Sequence, residues 1–145
     1  MPLIRRLSLR FALPALGLVL LAGCGTRVSL DEPIESQTWR LVSVGTQPAP
    51  RDADPQRDAQ LQFDGSRVNG SGGCNRVSGP YQRTGHRLTI GPLAATRMAC
   101  IEAERSAMES SFFAALQATT GYSRLGTQLT LLDDSGRTLA VLDNR

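Results

Sequence analysis

The sequence predicts an α+β domain in which an antiparallel, half-open β-barrel-like sheet of about seven or eight short strands packs against one helix. Two patterns carry this prediction. Short β-rich segments recur around glycine-containing turns, and only one segment has a long helical period. The chain has 145 residues, a length that suits one small domain with a single core.

The strand-forming segments are separated by turn signals. Residues 38–44 form the predicted first strand, because Trp39 and Leu41 alternate with polar residues. Residues 45–58 contain three prolines, which favours a long exposed loop. The other predicted strands are 60–63, 67–71, 80–83, 87–90, 122–125, 128–132 and 138–142. Asp64-Gly65 and Thr84-Gly85 fit the tight turns of hairpins.

The single predicted helix covers residues 101–120. One stripe of the helix collects the side chains that we expect to face the sheet, namely Ile101, Met108, Phe112, Ala115, Leu116 and Thr119. Glu102 and Glu104 lie near the positive end of the helix dipole, and Gly121 is suited to end the helix.

Residues 1–23 have the pattern of an export signal. Arg5, Arg6 and Arg10 precede an apolar run that is too short to span a bilayer. Leu21-Ala22-Gly23-Cys24 then resembles the lipobox of bacterial lipoproteins, which predicts cleavage before Cys24 and acylation of that residue. The alternative is an ordinary signal peptide with an incidental cysteine.

The predicted mature chain begins with a short tether. Residues 24–36 lack a sustained period, which is typical of a lipidated N-terminus joined to the domain by a flexible coil. Gly25 differs from the aspartate that tends to retain lipoproteins in the inner membrane. We therefore expect a lipid anchor in the outer membrane, on its periplasmic face.

Charge and composition exclude several functions. The net charge of +3 belongs to the signal segment, because the remaining 13 arginines balance 13 acidic residues. A neutral domain with scattered arginines does not favour nucleic acid as a partner. The chain has no lysine and a single histidine, His86, so we expect no catalytic residues, no cofactor and no enzyme activity.

Cys74 and Cys100 remain once Cys24 is assigned to lipid. In an exported protein such a pair is most simply a disulfide. A metal site would need two more ligands, and only His86 is of the usual type. A cysteine nucleophile would need a reduced thiol and a histidine base.

Several motifs occur in an order that resembles the META domain of HslJ-like heat-inducible lipoproteins. They are Gly72-Gly73-Cys74-Asn75, Gly79-Pro80-Tyr81, Leu88-Thr89-Ile90-Gly91, Ala95-Thr96-Arg97-Met98-Ala99-Cys100 and the helical stretch 109–116, with Trp39-Arg40-Leu41 and Leu129-Thr130-Leu131 towards the two ends. The resemblance covers residues 37–142, so the predicted META domain is residues 37–145.

The resemblance implies a shared disulfide between Cys74 and Cys100 and an outline like that of small pilotin lipoproteins. It also singles out the polar motif residues Asn75, Tyr81, Thr96, Arg97 and Glu109, for which we favour structural roles over ligand contact. It brings no catalytic residues, and the ligand types available in the sequence predict no metal site.

The functional hypothesis is a non-enzymatic outer-membrane lipoprotein of the envelope or heat stress response and of antibiotic tolerance, acting as a binding or scaffold module. Its partners would be the membrane, through the anchor, and an envelope protein. One alternative is a pilotin-like chaperone or carrier that binds an apolar ligand or peptide between sheet and helix. Another is an inhibitor of periplasmic hydrolases.

Overall fold

A computed structural model describes residues 32–52 and 54–144. The predicted signal segment and Cys24 lie outside these residues. The strands are β1 (Thr38–Val44), β2 (Gln47–Pro48), β3 (Gln60–Asp64), β4 (Arg67–Ser71), β5 (Arg76–Thr84), β6 (Arg87–Ile90), β7 (Ala94–Ala95), β8 (Gly121–Leu125), β9 (Gln128–Leu132) and β10 (Thr138–Asp143). One helix, α1 (Ala103–Ala118), lies between β7 and β8, and Pro55–Arg57 form a single 3-10 turn.

Eight of the strands close into an antiparallel barrel. The order β1-β3-β4-β5-β6-β8-β9-β10 returns to β1, because Leu41 pairs with Leu142 and Val44 with Ala140. The two-residue strands β2 and β7 add to the edges of β1 and β5. The predicted α+β barrel-like fold is confirmed, and the β1–β10 pairing completes the circle.

The antiparallel order gives the barrel two different ends. The tight turns at Gly65, Gly85 and Gly126 all lie at one end, which we call the turn end, and each glycine has a φ between 55° and 60° that suits a hairpin turn. The opposite end, the helix end, holds the connection between β4 and β5 and the termini of β1 and β10 that α1 contacts.

Large side chains fill the barrel. Trp39, Phe63 and Phe112 are completely buried, and Phe112 is supplied by α1. Alternation along the strands produces this core, since every second residue of β3, for example Leu61 and Phe63, points inward. Burial of side chains this large contributes about 1.5–3 kcal/mol each.

The helix is shorter than predicted, and one of its expected core residues is exposed. Met108, Phe112, Ala115 and Leu116 face the sheet as the period requires. Ile101 lies before the first helical turn and is fully exposed, which corrects its predicted place on the apolar stripe. The first helical residue is Ala103, so the helical period does not reach Ile101.

The tether is also shorter than predicted, because residues 32–36 belong to the folded domain. Ile34 is completely buried at the turn end, and its carbonyl accepts a hydrogen bond of 2.7 Å from Trp39 Nε1. Arg124 fastens the same segment by pairing with Glu32 at 3.1 Å. A single apolar residue has no period, so the sequence pattern did not indicate this contact.

Two strand predictions need correction. The prolines of the 45–58 loop did not prevent strand β2, because Pro48 lies on an edge where no N–H is required. Strand β5 begins at Arg76 rather than at residue 80, and it runs through Gly79 and Pro80. A side chain at Gly79 would lie 2.9 Å from the Pro92 carbonyl oxygen, so the glycine permits this close approach.

Candidate functional site

A disulfide connects two of the sequence motifs at the helix end. Cys74 and Cys100 are bonded, with their Cα atoms 5.7 Å apart. The bond joins the turn between β4 and β5 to the segment that leads into α1. The disulfide predicted from the resemblance is therefore present.

Beside the disulfide, Glu109 of α1 is buried and binds the same turn. Its Oε2 accepts hydrogen bonds from the backbone N–H of Cys74 at 3.0 Å and of Asn75 at 2.6 Å. Its Oε1 accepts from Asn75 Nδ2 at 2.6 Å. Three hydrogen-bond donors therefore stabilise the charged Glu109 carboxylate in its buried position.

Glycine at position 72 makes this arrangement possible. A Cβ on Gly72 would lie 2.4 Å from Glu109 Cγ, a distance that no side chain allows. Gly73 follows with a φ of 108°, a conformation that residues with side chains rarely adopt. The Gly72-Gly73 pair thus lets the turn close tightly over the carboxylate.

Asn75 extends the network to the segment before the helix. Its Oδ1 accepts from Thr96 Oγ1 at 2.9 Å and from the Met98 N–H at 2.7 Å, while its Nδ2 also donates to the Met98 carbonyl at 3.3 Å. Thr96 Oγ1 in turn accepts from the Arg76 N–H at 3.1 Å. The structure therefore brings three of the predicted polar residues, Asn75, Thr96 and Glu109, into one cluster.

The same cluster contains the one group of possible metal ligands within the described part of the chain. Ligand atoms of Cys74, Cys100 and Glu109 lie within 4.8 Å of one another. Both sulfurs are in the disulfide, and both carboxylate oxygens already accept hydrogen bonds. His86, the other ligand type considered from sequence, is exposed in the β5–β6 turn at the opposite end.

Tyr81 lies in a second cluster, at the turn end. Its hydroxyl donates to Glu35 Oε1 at 3.1 Å, and the same oxygen accepts from Arg83 Nε at 3.1 Å. Arg83 also donates to the Tyr122 hydroxyl at 3.1 Å. This cluster holds the N-terminal segment against β5 and β8.

In the second cluster, the pKa values of Tyr81 and Glu35 are shifted from their ordinary values. Burial raises the pKa of Tyr81, and the neighbouring Glu35 carboxylate raises it further, to about 12. Burial also raises the pKa of Glu35, but its own backbone N–H and the charge of Arg83 outweigh burial, so that the pKa of Glu35 is lowered.

The remaining predicted residue, Arg97, is exposed, and within the described residues its side chain has no hydrogen bond or ion pair. It lies next to Met98, whose side chain is 60% exposed although its backbone is held by Asn75.

A third cluster, around Asp58, was not predicted from the sequence. Its Oδ2 lies 2.7 Å from Arg40 Nη2, and its Oδ1 accepts from the Asp52 N–H at 2.8 Å. Burial raises the pKa of Asp58, but the hydrogen bond and charge of Arg40 outweigh burial and lower it. A carboxylate at the end of a proline-rich loop has no distinctive spacing, so only the fold could identify this role.

The described residues line two depressions on the outside of the barrel that are large enough to receive a ligand. One, of about 510 Å³, crosses strands β4, β5 and β7. The other, of about 480 Å³, lies between α1 and the adjacent ends of β1 and β10, with Val44, Ala114 and Leu139 among its lining residues. Among the described residues, no helix is both long and apolar enough to cross a membrane.

The fold and the motif cluster define a class of protein: a closed antiparallel barrel with one helix, in which a disulfide and a buried glutamate fasten the helix to a glycine-rich turn. The META domain model matches residues 32–145, so the chain belongs to the META domain family. The match includes residues 32–36, in agreement with their place in the folded domain.

Solved structures are similar to this chain in fold. One NMR structure has 25% sequence identity and a TM-score of 0.61, and covers 77% of this chain and 91% of its own. An NMR structure of a protein from Burkholderia xenovorans has 27% identity and a TM-score of 0.60, over 77% of this chain and 83% of its own.

The crystal structure of a DUF4847 family protein from Bacteroides vulgatus has 16% identity and a TM-score of 0.54, over 77% of this chain and 94% of its own, and is similar in fold alone. No curated protein shows significant sequence similarity to the chain.

Proposed function

We propose that this META domain protein is a non-enzymatic lipoprotein of the outer membrane. It would act in the envelope or heat stress response and in antibiotic tolerance, as a binding or scaffold module. The observation that carries the proposal is the sequence Leu21-Ala22-Gly23-Cys24, which resembles a lipobox, together with the path of the chain into the barrel.

In a lipid-anchored protein, that path would favour one orientation of the domain relative to the membrane. Ile34 enters the barrel at the turn end, ten residues after Cys24. Ten residues of random coil have an end-to-end distance of roughly 15–20 Å. The turn end would therefore lie near the membrane, and the helix end, with the disulfide cluster, would face the periplasm.

The filled interior supports a role for the outer surface. Because Trp39, Phe63 and Phe112 occupy the barrel, a partner has access to loops and grooves rather than to a lumen. The Glu109 network is satisfied internally, which suits a rigid scaffold better than a reacting group.

Acylation is tested by metabolic labelling with an alkyne-tagged fatty acid in the host. Label should appear on the wild-type chain and disappear in Cys24→Ser, while Cys74→Ser with Cys100→Ser should keep the label. A wild-type chain that is exported without label would contradict the anchor. Density-gradient separation of inner and outer membranes then tests the location.

The stress role is tested by deleting the gene and measuring survival of heat and of antibiotics. Complementation by wild type but not by Cys24→Ser would support a role at the membrane. Survival equal to that of the parent strain under both stresses would refute the stress role without affecting the acylation result.

A second candidate, an apolar carrier, is favoured by the groove between α1 and the barrel. Ala114, Ala118 and Leu139 give this groove an apolar lining. Thermal shift with fatty acids and amphipathic peptides tests it. A carrier is supported if these ligands stabilise the wild type and the exposed variant Ala107→Trp but not Ala118→Trp. A carrier is excluded if neither fatty acids nor peptides stabilise the wild type.

A further inference from the structure

A groove crosses the outer face of the barrel between two rows of side chains. Strand register places Thr38, Gln62, Asn69, Ser78 and Ala94 in one row. It places Arg40, Gln60, Ser71 and Arg76 in the other, which Thr96 extends through its hydrogen bonds with the Arg76 backbone. The rows point outward because the row between them, which includes Trp39, Leu61 and Val77, is buried.

The groove consists of two adjoining depressions that together extend over five strands. Its larger part, of about 510 Å³, lies over β4, β5 and β7, and a smaller part of about 160 Å³ lies over β1, β3 and β4. The two parts share Asn69 and Gly70. Four steps between neighbouring strands give a length of about 19 Å, so the groove suits an elongated ligand.

The walls offer hydrogen bonds and no negative charge. Amides come from Gln60, Gln62 and Asn69, and hydroxyls come from Thr38 and Ser78. Within the described residues, the side chains of the three amides and of Arg76 have no protein partner. None of the residues that line either part of the groove is acidic.

These features select a ligand class. Amides and hydroxyls bind ligands rich in hydroxyl groups, because each can both donate and accept. The unpaired guanidinium of Arg76 complements an anion and can hold a carboxylate through two parallel hydrogen bonds. A hydrocarbon ligand would leave the three amides and the Arg76 guanidinium unpaired, whereas the Ser78 hydroxyl already accepts a hydrogen bond from Arg67.

We propose that this groove binds an extended glycan strand that carries carboxylate groups, with the amides of β3 and β4 contacting sugar hydroxyls and Arg76 contacting a carboxylate. The proposal rests on the proposed role as a binding module and names its ligand class. The spacing of neighbouring strands is comparable with the length of one pyranose unit in an extended chain, so successive sugars would meet successive strands.

Calorimetric titration of the whole chain in detergent tests the site with three probes: tetragalacturonate, the neutral cellotetraose and a short polyglutamate. Tetragalacturonate should bind with a dissociation constant below about 1 mM. Cellotetraose should bind about tenfold more weakly, because it cannot pair with Arg76. Polyglutamate, which lacks hydroxyls, should bind more weakly than tetragalacturonate.

Variants locate the binding. Arg76→Gln should weaken the binding of tetragalacturonate about tenfold and leave the affinity for cellotetraose unchanged. Arg87→Gln removes an exposed arginine at the turn end and should change neither of the two affinities. Ala94→Trp should fill the groove and block both glycans, whereas Ala118→Trp, in the other groove, should not.

Three results would each overturn the glycan site. The first is that the folded chain binds neither glycan, and the second is that polyglutamate binds as tightly as tetragalacturonate. The third is that Arg76→Gln and Arg87→Gln lose equal affinity for tetragalacturonate. The titration does not depend on where the chain resides. An acylated protein without glycan binding therefore refutes this site alone, and glycan binding by an unlabelled protein refutes the anchor alone.

Discussion

Removal of the Glu109 carboxylate should reveal how much the motif cluster contributes to stability. Glu109→Ala would leave three donors without a partner, namely the N–H groups of Cys74 and Asn75 and the Asn75 side-chain amide. Hydrogen bonds to a charged group contribute about 1.5–3 kcal/mol each, and their sum is reduced because water can reach the opened site. We expect a loss of about 4 kcal/mol, a large part of the 5–15 kcal/mol typical of a domain.

Glu109→Gln should cost less, about 2 kcal/mol. The amide oxygen can still accept from the backbone, but its NH₂ group would face a donor of Asn75. Asn75 cannot turn its side chain to compensate, because its Oδ1 already accepts from Thr96 and Met98. The order of stability should therefore be wild type, then glutamine, then alanine.

Thermal and denaturant unfolding, with the disulfide intact, measure these losses. A loss of 4 kcal/mol corresponds to a decrease in Tm of about 15 °C for a domain of this size. Glu104→Ala is the matched control, because Glu104 is exposed in the first turn of the same helix and should cost about 0.5 kcal/mol. Equal stability of Glu109→Ala and Glu104→Ala would refute the reasoning, as would unchanged hydrogen exchange at the Cys74 and Asn75 amides.

Three further predictions concern the disulfide and the titrating groups. Replacing Cys74 and Cys100 by serine should lower the free energy of unfolding by about 3.5 kcal/mol, since the bond joins residues with a sequence separation of 26; an unchanged denaturant midpoint would contradict this. The lowered pKa of Glu35 means that its carboxylate stabilises the fold above the ordinary value of 4.5, and that this contribution is lost as the pH falls through the folded-state pKa. Glu35→Gln should therefore flatten the acid side of the stability profile, and a profile parallel to the wild type would exclude that role. The pKa of Tyr81 is raised to about 12 from 10, so stability should fall above pH 10, where only the unfolded chain ionises this tyrosine. Tyr81→Phe should abolish that decrease, and tyrosinate absorbance of the wild type should show one group titrating near pH 12.

Local patterns predicted most of the sheet, and the exceptions have physical causes. Strands with alternation and a glycine turn, such as Gln60–Asp64 and Arg87–Ile90, lie where expected. The two-residue strands β2 and β7 escaped prediction, because so short a segment has no period and forms only where a neighbouring edge is available. Closure of the barrel by β1 and β10 likewise depends on tertiary pairing.

The candidate site was predicted in part. The motifs indicated Asn75, Thr96 and Glu109 and the disulfide beside them, and the structure brings these residues together. The partners of Tyr81 could not be predicted, since Glu35 comes from a segment interpreted as tether. The outward rows of the groove depend on strand register, which one sequence does not reveal.

The pairing of β1 with β10 also determines when folding can finish. Strand β1 cannot complete its pairing until β10 is available. A chain that emerges N-terminus first, from a ribosome or a secretory channel, therefore has an open sheet edge until β10 has emerged. Such an edge is prone to pair with other chains. Deletion of Thr138–Asp143 should therefore produce an aggregating product rather than a smaller stable domain, and a C-terminal tag should be added beyond residue 145 through a flexible linker.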